Sequence, residues 1–344
     1  MCFIDSASHE HLMSFILTNN TIIDGALHLI AVNETFPQPQ SQEQLTAITK
    51  MDVKHITIVQ NKMDTNISDE ALKHQFKQIQ TFVAGTTAST AHVVPISAKL
   101  KYNIDVVIQL LSHIPQPKRD LSSPPRCIVF KSIESNINSV IDNNNNVNCV
   151  IASAMLIKGV INLGQVIEVK PGVITKTQSN EIKVTPIYTH VIALHSEDNA
   201  LLYAVPGGLV RIALRTEQTL MKAEKLNGRV IGVPGKLPDV VVKIVVRCCL
   251  LKRLMNVKRK DGDESVGEVK LHEMLLVNVN ACSVGGKVVE INGEHNNEVM
   301  FELNSPICCE IREKVAVSRK IGKNVRLIGF GEVISTVTID DSDI

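Results

Sequence analysis

Apolar and polar positions change period repeatedly over the first third of the chain. The runs "CFID" (2–5), "GALHLIAVN" (25–33), "HITIVQ" (55–60) and "HVVPIS" (92–97) are short, apolar and bounded by polar residues, the pattern of half-buried or fully buried strands. Longer segments with helical spacing lie between them, at 9–19, 41–51, 68–83 and 103–113. Ser68 can serve as an N-cap with Asp69 and Glu70 in the first turn, and Asn103 can do the same with Asp105, because a short polar side chain accepts from the free amides there and acids favour the positive end of the helix dipole. Strand and helix alternating in this way predict a mostly parallel, doubly wound sheet.

The pattern then breaks. "IPQPKRDLSSPPRC" (114–127) carries Pro115, Pro117, Pro124 and Pro125 and cannot be helical, since proline removes an amide donor and its ring clashes with the preceding turn. After it the helical period fades, and β-branched runs such as "VIEVKPGVI", "LVRIAL", "VVVKIVVRCCLL", "EMLLVNVNA" and "KVVEING" are separated by Gly, Pro and Asn, which predicts β-structure. A stretch this long fits two small barrels better than one. A boundary falls near "RTEQTLMKAEKLNG" (215–228), while "IESNINSVIDNNNNVNC" (133–149) reads as an exposed loop. The predicted class is therefore α/β plus all-β: a partial doubly wound parallel-sheet domain over 1–119, a β-barrel over 120–222 and a second over 223–344.

Composition narrows the chemistry. The 344 residues are 44% hydrophobic and 21% charged with a formal net charge of +1, so no global field marks a general nucleic-acid binder, and such a partner would be held by local patches. The absence of Trp and only 3% aromatics argue against a stacking platform for single strands. No apolar run is long enough to span a bilayer, and "MCFIDSASHEH" lacks the pattern of a signal peptide, so a cytoplasmic location is expected, with no membrane partner. Cys2, Cys127, Cys149, Cys248, Cys249, Cys282, Cys308 and Cys309 form no C-x-x-C pair and read as reduced structural thiols; "HEH" (9–11) lacks the one-turn spacing of a zinc pair. No metal site is expected among them. The basic residues of "LLKRLMNVKRKDG" (250–262) read as a solvated hairpin, with a phosphate-contacting patch as the alternative.

One strand end carries specific chemistry. "HITIVQNKMD" (55–64) is a buried-type strand that stops in Asn61, Lys62 and Asp64, and open parallel sheets bind ligands outside the carboxyl ends of their strands. A carboxylate there accepts from the ring N–H and the exocyclic amine of guanine, an amide braces a neighbouring loop or meets the base oxygen, and a lysine stem lies along the base plane. Adenine presents the opposite donor and acceptor pattern and would leave these groups unpaired. The next strand ends in Ser97, Ala98 and Lys99, where backbone amides reach the base oxygen from the other side. Asn61, Lys62, Asp64, Ser97, Ala98 and Lys99 are the candidate guanine-binding residues.

With these loops in place, "NETFPQPQSQEQL" (33–45), "KHITIVQNKMD", "PISAKLKYNIDVV", "IPQPKRD", "IKGVINLGQVIEVKPG" (157–172), "YAVPGGLV" (203–210) and "RLIGFGEV" (326–333) together resemble the gamma subunit of eukaryotic and archaeal translation initiation factor 2, in order along nearly the whole chain. The resemblance implies a G domain and two β-barrels, GTP or GDP with Mg²⁺ as cofactors, and alpha and beta subunits as partners. It further implies GTP-dependent delivery of methionyl initiator tRNA to the small ribosomal subunit, and a guanine-nucleotide exchange factor.

The sequence also departs from the family. No G-x-x-x-x-G-K-[ST] occurs, the loop that cradles phosphates, so the chain reads as N-terminally incomplete, with weak or lost nucleotide binding if it is not. The family's Asp-Cys-Pro-Gly-His is matched by "DSASH" (5–9). By that match Asp5 would hold Mg²⁺ through water and His9 would position the attacking water, although a surface histidine opening a helix has the same appearance without that role. Ser8 stands where the family has the glycine that lets backbone approach a γ-phosphate. GTP hydrolysis therefore stays open. The alternative is a non-catalytic scaffold descended from the factor that binds partner subunits without GTP; an elongation-type factor fits the architecture but lacks "LKYNI" and "RLIGFGEV".

Overall fold

In the computed structural model the described residues are Phe3, 23–38, 41, 44–45, 48–49, 53–65, 68–138, 146–176, 182–215, 226–251, 266–293, 297–321 and 324–339. Asp5, His9, the predicted helix 9–19 and the basic residues of 252–260 lie outside them. Two compact units hold the described residues, one drawn from Ile23–Lys118 and the other from Arg119–Lys252 and Val266–Ile344.

The first unit is built on a parallel sheet of β1 (Gly25–Ala31), β2 (His55–Asn61) and β3 (His92–Pro95) in that spatial order. Ile56 through Gln60 of the central β2 are all buried, as expected for a strand covered on both faces. Helix α1 (Asp69–Val83) buries Gln75, Ile79 and Val83, a stripe one turn apart that faces the unit's interior. Val107 of α2 (Ile104–Ser112) packs with Val59, Val94 and Ile96. Ser68 caps α1 as predicted, its hydroxyl accepting from the Ala71 amide at 3.3 Å. Asn103 does not cap α2. It sits in the left-handed region at φ 56°, and its Nδ2 instead donates to the Pro95 carbonyl at 2.9 Å. The requirement to satisfy the end of β3 outcompetes the cap, and asparagine tolerates the conformation.

The second unit is all β. Its first ring comprises β4 (Arg126–Asn138), β5 (Asn146–Lys158), β7 (Val166–Lys176), β8 (Ile182–Ser196), β11 (Leu209–Arg215) and β12 (Val230–Gly232), with short β6 (Ile161–Asn162), β9 (Asn199–Ala200) and β10 (Tyr203–Ala204) attached or nearby. The order β11-β5-β4-β12-β7-β8 closes because β11 pairs with both β5 and β8. Small Ala152 and Ala154 with Val129, Ile167, Ile212 and Leu214 fill the core. The second ring, β13-β16-β15-β14-β17-β18, is formed by β13 (Val240–Leu250), β14 (Met274–Val279), β15 (Cys282–Asn292), β16 (Glu298–Cys308), β17 (Lys314–Ile321) and β18 (Asn324–Thr338). Phe301, Ile244, Val277 and Val288 are fully buried within it. Closure leaves neither ring an open edge, the usual solution for small antiparallel sheets.

Two expectations change. Much of 133–149 is not loop: β4 and β5 pair antiparallel through an asparagine-rich sequence out to Asn138↔Asn146, a hairpin whose backbone ladder continues from the barrel strands on either side. And β12, beyond the boundary placed at 222, completes the first ring by pairing with β4 and β7; its three residues were too few to show a period. Between the rings, the buried Arg126 guanidinium pairs with Glu313 and with Glu310 at 3.2 Å, and Asn280 Nδ2 donates to Glu313 at 2.8 Å.

Candidate functional site

Three loops leave the carboxyl ends of β1, β2 and β3, and Asn61 joins them. Its carbonyl accepts from the Val32 amide at 3.0 Å, at the start of the loop after β1. Its side-chain Oδ1 accepts from the Lys62 amide at 2.7 Å and from the Ala98 amide at 3.1 Å. With Oδ1 committed to two amides, the Asn61 NH₂ keeps its donors for another partner. Lys62 adopts φ 68°, which turns the chain sharply out of β2. The Met63 amide then donates to the Ile96 carbonyl at 3.1 Å.

Asp64 follows in this turn. Ser97, itself buried, donates its hydroxyl to Asp64 Oδ1 at 2.7 Å and accepts from the Leu100 amide at 3.1 Å. The Ser97 hydroxyl and a backbone amide hold the Asp64 carboxyl below the usual carboxylate range, so the group stays ionised and an acceptor. An ionised carboxylate has about four lone-pair sites, enough to serve Ser97 and two adjacent N–H donors of a base. Lys99 and Ala98 are exposed beside it. The six residues singled out from the sequence thus meet at one place on the sheet.

Sequence reasoning missed three residues of this region. Gln60 and Gln75 are 3% and 6% exposed, and Gln60 Nε2 donates to Gln75 Oε1 at 2.7 Å. Gln75 Nε2 donates to the carbonyls of Ala31 and Glu34, each at 3.2 Å. Glu34 pairs with Lys62 at 3.7 Å and accepts from Gln38 Nε2 at 3.1 Å. The available signal was a lone amide at the end of an otherwise apolar strand. A polar cavity of about 160 Å³ lies here, lined in part by Ala31, Glu34, Thr35 and Gln38. Among the described residues no group of His, Cys, Asp or Glu is arranged to hold a metal ion, and no helix is long and apolar enough to cross a membrane.

A partial parallel sheet with this loop cluster, followed by two closed six-stranded barrels, defines a chain of the translational GTP-binding factor class. Residues 1–117 match the family described as Elongation factor Tu GTP binding domain, and 242–333 match Initiation factor eIF2 gamma, C terminal. Eukaryotic translation initiation factor 2 subunit 3 of Drosophila melanogaster is 41% identical over 343 residues, covering 98% of this chain and 70% of that protein. The chain belongs to the translation initiation factor 2 gamma-subunit family. The fold is shared with translation elongation factor SelB of Methanococcus maripaludis in its apo form, at TM-score 0.72 and 18% identity over 98% of this chain and 72% of that one. It is shared equally with SelB in complex with the GTP analogue GppNHp, at TM-score 0.70 and 17% identity over 97% of this chain and 70% of that one.

Proposed function

We propose that the chain works in the cytoplasm as the gamma-type subunit of a heterotrimer with alpha and beta subunits, binding methionyl initiator tRNA and delivering it to the small ribosomal subunit under guanine-nucleotide control, with an exchange factor resetting the nucleotide. The observation that carries this reading is 41% identity sustained over 98% of the chain, with the guanine-type residues collected at one sheet end. In this reading residues 1–119 form the G domain and the two rings form the partner-binding domains.

GTP supplies the switch chemistry through its γ-phosphate and Mg²⁺. The residues of this chain read the base: Asp64, held in place by the Ser97 hydroxyl, accepts from the ring N–H and the 2-amino group of guanine. The Asn61 NH₂ faces the base oxygen, its Oδ1 being held by the Lys62 and Ala98 amides rather than the Ala98 amide reaching the base, and the aliphatic stems of Lys62 and Lys99 cover the ring faces. Asp5 would hold Mg²⁺ through water and His9 would place the attacking water. Adenine would leave the Asp64 carboxylate facing the N1 lone pair and a C–H in place of two N–H donors, a loss of the strong kind.

The test is a titration of the purified chain with a fluorescent GDP, competed by GDP and by ADP, alongside capture of recombinant alpha subunit. Displacement by GDP alone and a stable complex with the alpha subunit are expected. Equal displacement by ADP overturns the base assignment, and failure to hold the alpha subunit overturns the initiation-factor role. Ser8, in the position where the family has a glycine, favours a second reading as a scaffold that holds the subunits without nucleotide; alpha-subunit capture with no guanine binding selects it.

A further inference from the structure

The Gln60, Gln75 and Glu34 network has no part in contacting a base, yet Gln60 and Gln75 are buried amides next to the guanine-type loop and Glu34 stands exposed beside Lys62. Gln75 is a hub. Its single carbonyl oxygen takes a hydrogen bond from Gln60 on β2, and its amide nitrogen donates to two carbonyls of the chain leaving β1, at Ala31 and Glu34. A buried amide with every strong bond satisfied specifies one arrangement, since any alternative strands a polar group out of water. The same loop is pinned a second time by Phe36, whose ring meets Phe82 of α1 edge-on at 5.2 Å. It is pinned a third time by the Val32 amide on the Asn61 carbonyl. What the loop presents as a result is the Glu34 carboxylate, 3.7 Å from the Lys62 ammonium and accepting from Gln38.

Lys62 needs such a guide. Its backbone is fixed at φ 68°, but its long side chain carries large rotamer freedom, and holding it across a base plane costs entropy at the moment of binding. Glu34 restricts that freedom beforehand. An exposed ion pair of this kind contributes little to stability, so its use is orientation. We infer that Gln75 and Glu34 are positioning residues of the guanine loop, Gln75 fixing the segment after β1 and Glu34 on that segment fixing Lys62; this rests on the guanine-binding reading above.

The experiment is a double-mutant cycle on the full chain, with the dissociation constant for fluorescent GDP as readout at a temperature where every variant is folded by circular dichroism. Glu34→Gln and Gln75→Met are each made in the wild-type and in the Lys62→Met background. Acting through Lys62, each is expected to weaken GDP binding roughly three- to tenfold in the wild type and by less than about twofold when Lys62 is already methionine, the non-additivity that coupled sites show. The ratio of GDP to IDP affinity, which reports on the 2-amino contact of Asp64, is expected to stay constant. Equal losses in both backgrounds, or no loss in either, overturn the inference while leaving guanine binding intact. Absence of any GDP binding by the wild type overturns the reading beneath it.

Discussion

At the scale of the residue, the base assignment turns on one carboxylate. Changing Asp64 to Asn keeps the Ser97 contact geometry but replaces an acceptor with a donor. Guanine would then meet an N–H with its own 2-amino group, whereas xanthine, with a carbonyl there, would be satisfied. Asp64→Asn is therefore expected to lower GDP affinity roughly tenfold or more, the value of losing charge-assisted hydrogen bonds, and to raise affinity for xanthosine diphosphate; competition titrations with the two nucleotides check this. His28 is a different case. It sits on β1, 3% exposed, with Nε2 lacking a partner, and burial pushes its imidazole from 6.5 down to about 4. The unfolded chain takes up this proton below about 6.5 and the folded chain only near 4, so stability falls as pH is lowered through that window and is fully retained above it. The expected loss between pH 7 and pH 4 is roughly 3 kcal/mol. His28→Leu removes it, and unfolding titrations of the two proteins at pH 7 and pH 4 measure the difference.

At the scale of the element, α1 and α2 show how similar sequence signals diverge. Ser68 and Asn103 both precede an acid-rich first turn, yet only Ser68 makes the capping bond. Ser68→Ala is expected to cost about 1 kcal/mol, read as a lower denaturant midpoint for the first unit, whereas Asn103→Ala acts by freeing the Pro95 carbonyl. If Ser68→Ala leaves the midpoint unchanged, the cap is not contributing. The strands of the first unit were legible because their short apolar runs are uninterrupted and their ends polar. The Asn-rich hairpin and the three-residue β12 were not. β12 is paired by β4 and β7, distant in sequence, so local composition carries no record of it, whereas the hairpin pairs with itself and its asparagines, weak strand formers, hide the strand pattern.

At the scale of the molecule, the two rings are joined by a charge that neither needs alone. Arg126 belongs to β4 of the first ring, and Glu313 precedes β17 of the second. Burial pushes the Glu313 carboxyl up while Arg126 opposes it, so removing the guanidinium strands a buried acid. Arg126→Met is expected to cost about 3–5 kcal/mol, and adding Glu313→Gln to recover part of that loss. Calorimetric unfolding of the two variants decides it, and a double variant no more stable than the single one would show that the pair is not the origin of the effect. Such a pair is poor evidence for stability relative to apolar packing, and its geometry suits the fixing of one ring against the other.

The sequence by itself determined the strand and helix alternation of residues 55–113, the proline break after 114, the β-rich second part and the six residues that the structure gathers at the ends of β2 and β3, because periodicity, proline chemistry and a polar strand end are local properties. Tertiary structure alone decided that Asn61 ties three loops, that Gln75 and Glu34 stand behind Lys62, that β12 closes the first ring and that Arg126 meets Glu313 across 187 positions of sequence. Those contacts join residues far apart along the chain, and most are fixed by backbone pairing between strands or by a buried polar group that must find its partner wherever the fold places one.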